Sequence, residues 1–176
     1  MDFARVLERI ANFLRSERYP VAVIGALGLH AYGLTRATSD LDFVTGSAAQ
    51  AKLIPFMESL GYKTLHASTG YSNHAHSDPL MGRVDFVYVS GETERVLFEG
   101  ATTELRFQGI SVPVPRPEHL AAMKIYAMKN DPERMLQELA DIQFLLRLPG
   151  IDREEIRGYF EKSGLLEKYD ELKKTL

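Results

Sequence analysis

Two aspartates one residue apart, Asp40 and Asp42, open the apolar run DLDFV. In an extended chain, side chains at i and i+2 point to the same face, so the two carboxylates lie side by side and repel. A cation or water has to offset that repulsion. A third aspartate, Asp85, stands inside RVDFVYV. An ionised carboxylate in so apolar a strand must be paired or bound to a metal. If the two runs are neighbouring strands, three oxygen ligands converge, a set that suits a hard divalent cation, Mg²⁺ or Mn²⁺. Two such ions, about 4 Å apart, stabilise both the attacking and the leaving oxygen of an in-line phosphoryl displacement. The same residues also allow an ion-free reading. In it Asp40 is solvated, Asp42 pairs with Arg36 and Asp85 pairs with Arg83.

The elements around these residues follow from periodicity and punctuation. Phe3, Val6, Leu7, Ile10, Phe13 and Leu14 recur at helical spacing, and Tyr19-Pro20 ends that helix. VAVIG reads as a short buried strand closed by Gly25, and ALGLHAYG as a short helix or turn bounded by Gly33. Small residues at Gly25-Ala26 let backbone N–H groups approach a phosphate, and a helix N-terminus favours an anion. A tight strand-to-helix turn accounts for the same residues. SAAQAKLIPFMESLGY predicts a helix with Ser47 as N-cap. Weaker strands are expected within 62–82, and a hairpin over 101–114 with Gly109 near its turn. From Pro117 onward the pattern is helical: PEHLAAMKIYAMKN, PERMLQELADIQFLLRL, IDREEIRGYFEKSG and the tail LLEKYDELKKTL, with Pro117 and Pro132 at first-turn positions. A mixed α/β part, 1–115, therefore precedes a helical part, 116–176, expected to pack on it.

An apolar strand, Gly25-Ala26, a gap of about a dozen residues, Asp-Leu-Asp and a later Val-Asp-Phe together resemble the nucleotidyltransferase superfamily that includes DNA polymerase beta. VIGALGLHAYGLTRATSDLDFV is similar in detail to the bacterial abortive-infection (AbiEii-like) nucleotidyltransferase toxins. Their Arg-x-Thr-x-Asp-x-Asp is matched here by Arg36, Thr38, Asp40 and Asp42 after Gly33. The resemblance covers most of residues 20–148. It implies an α+β fold, a nucleotidyltransferase-like mixed β-sheet flanked by helices and followed by a C-terminal helical half. It also implies a Mg²⁺-dependent enzyme that moves an NMP from an NTP to an acceptor hydroxyl and releases pyrophosphate. Asp40 and Asp42 would hold both metals, and Asp85 would hold one and act as general base. Gly25 and Ala26 would meet the triphosphate. Ala26 departs from the family, which has Gly or Ser there, so a hydroxyl contact is absent while backbone contacts remain. Haloacid-dehalogenase-type phosphatases also use Asp-x-Asp, but their pair ends an apolar strand, whereas here the apolar run follows the pair.

In the helical part, Leu120, Met123, Ala127 and Met128 are expected to form one stripe, with Lys124 inside it. Arg134, Glu138 and Asp141 should flank the stripe Met135, Leu139, Ile142 and Leu146 on the next helix. The resemblance gives Lys124 to the nucleotide phosphates and makes Asp141 orient it or assist chemistry. A plain Lys124–Asp141 salt bridge is the alternative. Arg36 would bind phosphate or pair with Asp40 or Asp42. His74 and His76 are expected in a solvated hairpin rather than as a metal pair. Tyr62, Tyr71 and Tyr88 either stack on a base or pack.

The 176 residues carry a formal net charge of -3, so the chain as a whole is no electrostatic sponge for nucleic acid. Apolar residues make up 45% and charged residues 26%, the balance of a globular protein. There is no cysteine, which excludes thiolate chemistry and a disulfide framework. No apolar stretch is long enough for a membrane span. A cytoplasmic location is expected. The acceptor stays open: RNA or tRNA, a protein side chain, or a small hydroxylated molecule such as an antibiotic. The toxin resemblance also implies a cognate antitoxin. A non-catalytic NTP- or metal-binding module of the same fold is the rival reading.

Overall fold

A computed structural model describes residues 1–101 and 103–176. Thr102, inside the segment expected to form a hairpin, lies outside the described residues. The chain divides into two units, Met1–Pro115 and Arg116–Leu176.

The first unit is built on five strands in the order β1-β2-β5-β4-β3: β1 (Val21–Val23), β2 (Asp40–Gly46), β3 (Lys63–Ala67), β4 (Tyr71–Ala75) and β5 (Arg83–Val89). The central pair, β2 and β5, is parallel, and the other neighbours are antiparallel, so the sheet is mixed. Pleating sorts the side chains. Leu41, Phe43, Val84, Phe86, Ser72 and His74 lie on one face and are fully buried. Phe43 and Phe86 stack there with centroids 5.5 Å apart. Each such ring contributes about 1.5–3 kcal/mol by leaving water. The opposite face carries Asp40, Asp42, Arg83, Asp85, Tyr71 and Asn73.

Among the described residues, four α-helices belong to this unit: α1 (Phe3–Ser16), α2 (Gly25–Ala31), α3 (Gln50–Ser59) and α4 (Gly91–Glu99). Asp2 caps α1 by accepting from the Arg5 N–H, and Val6, Leu7, Ile10, Ala11 and Leu14 form its buried face. Phe13 on α1 stacks on Phe56 of α3 at 3.8 Å. Ser47 is not the cap of α3. It starts a single 3₁₀ turn, Ser47–Ala49, which runs into the helix without a side-chain cap. α4 was not anticipated from sequence, although Glu92 and Glu94 in its first turn favour the positive helix end. A second sheet pairs β6 (Thr103–Phe107) with β7 (Ile110–Val114). Its two turn residues, Gln108 and Gly109, both have positive φ, as a two-residue hairpin with matching twist requires.

The second unit comprises α5 (Pro117–Asn130), α6 (Met135–Leu145), α7 (Arg153–Lys162) and α8 (Leu166–Lys173). The buried face of α5 contains Leu120, Ala121, Lys124, Ile125 and Met128, so the expected stripe is rotated: Ile125 replaces Met123 and Ala127. On α6, Glu138 and Asp141 are themselves buried rather than flanking the apolar stripe. The tail forms α8, with Tyr169 and Leu172 buried. Among the described residues, no helix is long and apolar enough to cross a membrane.

Candidate active site

Parallel pairing of β2 with β5 sets Asp40 opposite Arg83 and Asp42 opposite Asp85. Two carboxylates from distant parts of the chain thus stand side by side on the less buried face of the sheet. The loop before β2 fixes Asp40: the Ser39 hydroxyl donates to its carboxylate, and its N–H donates to Thr38 Oγ1 at 3.3 Å. Arg36, half-buried, lies just upstream of this loop.

Asp42 is positioned from the other side by the β1–α2 junction. The Ile24 N–H donates to the Asp42 carbonyl at 2.9 Å. Gly25 follows with φ +61°, and a Cβ added there would lie 2.8 Å from the Asp42 carboxyl carbon, closer still to one oxygen. Only glycine gives this close approach in a left-handed conformation without strain. The helix ladder begins with the Gly28 N–H bonding Ile24 O at 3.0 Å, so Gly25 and Ala26 contribute the N–H groups of the first turn.

Asp85 breaks the burial alternation of β5, being 9% exposed, because neighbours close over it. Arg83 Nε donates to Oδ1 at 3.0 Å and the Tyr71 hydroxyl donates to Oδ2 at 3.0 Å. Burial, reinforced by the Asp85 charge, pushes the Tyr71 phenol up to about 12, so it stays a donor at physiological pH. Asn73 Nδ2 donates in turn to the Tyr71 oxygen at 2.9 Å. The Arg83–Asp85 pair of the ion-free reading is therefore present. Among the described residues, no group of three His, Cys, Asp or Glu side chains is gathered as for a metal ion. The donor chemistry still fits Mg²⁺ or Mn²⁺: carboxylate oxygens adjacent in register, with Asp40 at the next same-face position.

The roles of Tyr71 and Asn73 were missed from sequence. Their signal is the alternation of YSNHA, which puts Tyr71, Asn73 and Ala75 on one face once β4 pairs with β5. The same alternation corrects the expectation for His74. It is fully buried, not solvated, with Nε2 2.9 Å from Ser72 Oγ and Nδ1 3.2 Å from Thr64 Oγ1. Ser72 Oγ also bonds the Tyr88 hydroxyl at 2.7 Å, so Tyr88 packs in the core, as does Tyr62 with its hydroxyl on Met81 O.

In the second unit, Lys124 and Asp141 do come together. Lys124 Nζ is 2.5 Å from Asp141 Oδ2 and 2.8 Å from Glu138 Oε2, and all three side chains are almost fully buried. Arg134 adds an ion pair to Glu138 at 2.7 Å, and Gln137 donates to Asp141 Oδ1 at 3.1 Å. This is the interhelical salt bridge, enlarged by a second carboxylate.

No family model and no curated protein sequence matches the chain. Solved structures do. The antibiotic-resistance factor ANT(2'')-Ia matches with a TM-score of 0.59 at 16% identity, over 99% of this chain and 92% of that one. The lincosamide antibiotic adenylyltransferase LnuA, solved with lincomycin bound, matches at 0.55 and 15% identity, over 81% and 96%. An antigenic nucleotidyltransferase-like protein from Paracoccidioides brasiliensis matches at 0.59 and 18% identity, over 98% and 91%. The chain has the nucleotidyltransferase-like α+β fold.

Proposed function

We propose that the chain is a divalent-metal-dependent nucleotidyltransferase that moves an NMP from an NTP to an acceptor hydroxyl. The observation that carries this reading is the Asp42–Asp85 pair, in register on one sheet face, with the strand–helix junction at Gly25 pressed against Asp42. Asp40, Asp42 and Asp85 would hold Mg²⁺ or Mn²⁺, which supplies charge stabilisation to the attacking and leaving oxygens. Asp85 would take the proton of the acceptor hydroxyl. The backbone at Gly25 and Ala26 would receive the triphosphate, with Arg36 as a proposed counter-charge. The remaining catalysis is positioning of the two reactants in line. Lys124 would be the counter-charge to the triphosphate through the third of its N–H donors, the other two being held by Glu138 and Asp141. Asp141 acts through Lys124, holding it in place.

For the acceptor, the abortive-infection resemblance of residues 33–42 favours RNA, tRNA or a protein side chain, with an antitoxin as partner and its gene in the adjacent reading frame. A small hydroxylated molecule is the second reading. It is favoured by the likeness along almost the whole chain to ANT(2'')-Ia, a form of which was solved with adenylyl-2''-tobramycin, and by the negative net charge.

The test incubates the protein with each α-³²P-labelled NTP, Mg²⁺ and, separately, cellular RNA, protein extract, tobramycin and lincomycin. Label enters one acceptor class and is lost with EDTA or in Asp42→Ala. Label that persists in Asp42→Ala overturns the assignment. A folded protein that binds NTP but labels nothing is the non-catalytic module.

A further inference from the structure

The row of residues across the sheet does not stop at Asp85. Register places Asp42 on β2, Asp85 on β5 and Asn73 on β4 side by side. The hydrogen bonds among the last two and Tyr71 have a fixed direction. An amide N–H can only donate and a carboxylate can only accept, so the phenol between them accepts from Asn73 and gives its own proton to Asp85. The orientation leaves a trace: Asn73 Oδ1 is buried with no hydrogen-bond partner. Turned over, the amide would present Oδ1 to Tyr71. The phenol would then donate to it, and Asp85 Oδ2 would lose its donor.

We propose that Tyr71 is a positioning residue that fixes the Asp85 carboxylate for divalent-ion binding, and that Asn73 in turn fixes Tyr71. The inference rests on the metal-dependent reading above. Arg83 and Tyr71 each take one acceptor position on a different oxygen of Asp85, which sets the plane of the carboxylate and leaves each oxygen a further lone pair. Ligating carboxylates depend on such outer partners, whose loss typically weakens metal binding about 10–100-fold.

The test uses the full chain and Mn²⁺ as the probe, with bound ion read from the loss of the free-ion EPR signal. Variants are Tyr71→Phe, which removes only the hydroxyl, Asn73→Leu, the double substitution, and Asp85→Asn. Circular dichroism and melting temperature confirm folding. Tyr71→Phe weakens Mn²⁺ binding about tenfold. Asn73→Leu weakens it in the same direction, and the double variant is no weaker than Tyr71→Phe, because Asn73 acts through the phenol. Should Tyr71→Phe not fold, Asn73→Leu carries the test alone. Wild-type affinity in Tyr71→Phe, with binding lost in Asp85→Asn, overturns the inference and leaves the metal reading standing. Additive losses overturn the part given to Asn73. No Mn²⁺ binding by the wild type overturns the metal reading and the inference with it.

Discussion

Gly25 joins two requirements at one atom. Its φ of +61° suits glycine, and the space a Cβ would fill is held by the Asp42 carboxylate. Gly25→Ala therefore adds about 1–2 kcal/mol of left-handed backbone strain and displaces Asp42. We expect a urea midpoint lowered accordingly and, under the proposed function, nucleotidyl transfer reduced far beyond what the unfolded fraction explains. Wild-type turnover in the folded variant would sink this account. At this scale the sequence was readable where the chemistry is local. Asp40 and Asp42 share a face because they are two residues apart, and Gly25 marks a strand end by its type. The closeness of Gly25 to Asp42, and the phenol on Asp85, come from strand pairing, which no local spacing encodes.

At the scale of elements, the strands and helices that carry long apolar patterns were legible: β2, β5, α1 and α5 fall where periodicity puts them. The faces of α5 and α6 were harder, because apolar periodicity cannot see a charged residue that is buried with a partner. Lys124, Glu138 and Asp141 satisfy one another, so helix faces that look polar are turned inward. This makes a firm expectation for α5. Lys124→Met leaves two buried carboxylates without their shared cation, and breaking a buried pair in this way costs about 3–5 kcal/mol. Denaturant unfolding followed by far-UV circular dichroism measures it, and a change under 1 kcal/mol would count against burial of the trio. α4 went unseen because its nine residues carry only a short apolar pattern, with Leu97 alone fully inside.

Across the whole molecule, each unit keeps one buried histidine neutral. Burial lowers His74 in the first unit, against the opposing pull of Asp85 and Glu58. Burial lowers His119 in the second, with Arg116 adding to the effect. Both native values lie below the usual 6.5, so between the two values the unfolded chain binds more protons than the folded one. Their contribution is complete above about pH 6.5 and is lost as the pH falls through the native values. Melting temperature should drop from pH 7.5 to pH 5.5, and the slope should flatten in His74→Gln. A melting temperature that rises toward acid would contradict this. The helical pattern from Pro117 is legible without tertiary information, whereas the register of the mixed sheet is not. That register also has a meaning in time. A parallel pair cannot close as a hairpin. Asp42 meets Asp85 only after α3, β3 and β4 have been laid between them, and such non-local closures are slow. A nascent chain halted before β5 displays Asp40 and Asp42 with no third carboxylate. The three-carboxylate set of the proposed site is thus complete only once synthesis has passed residue 85.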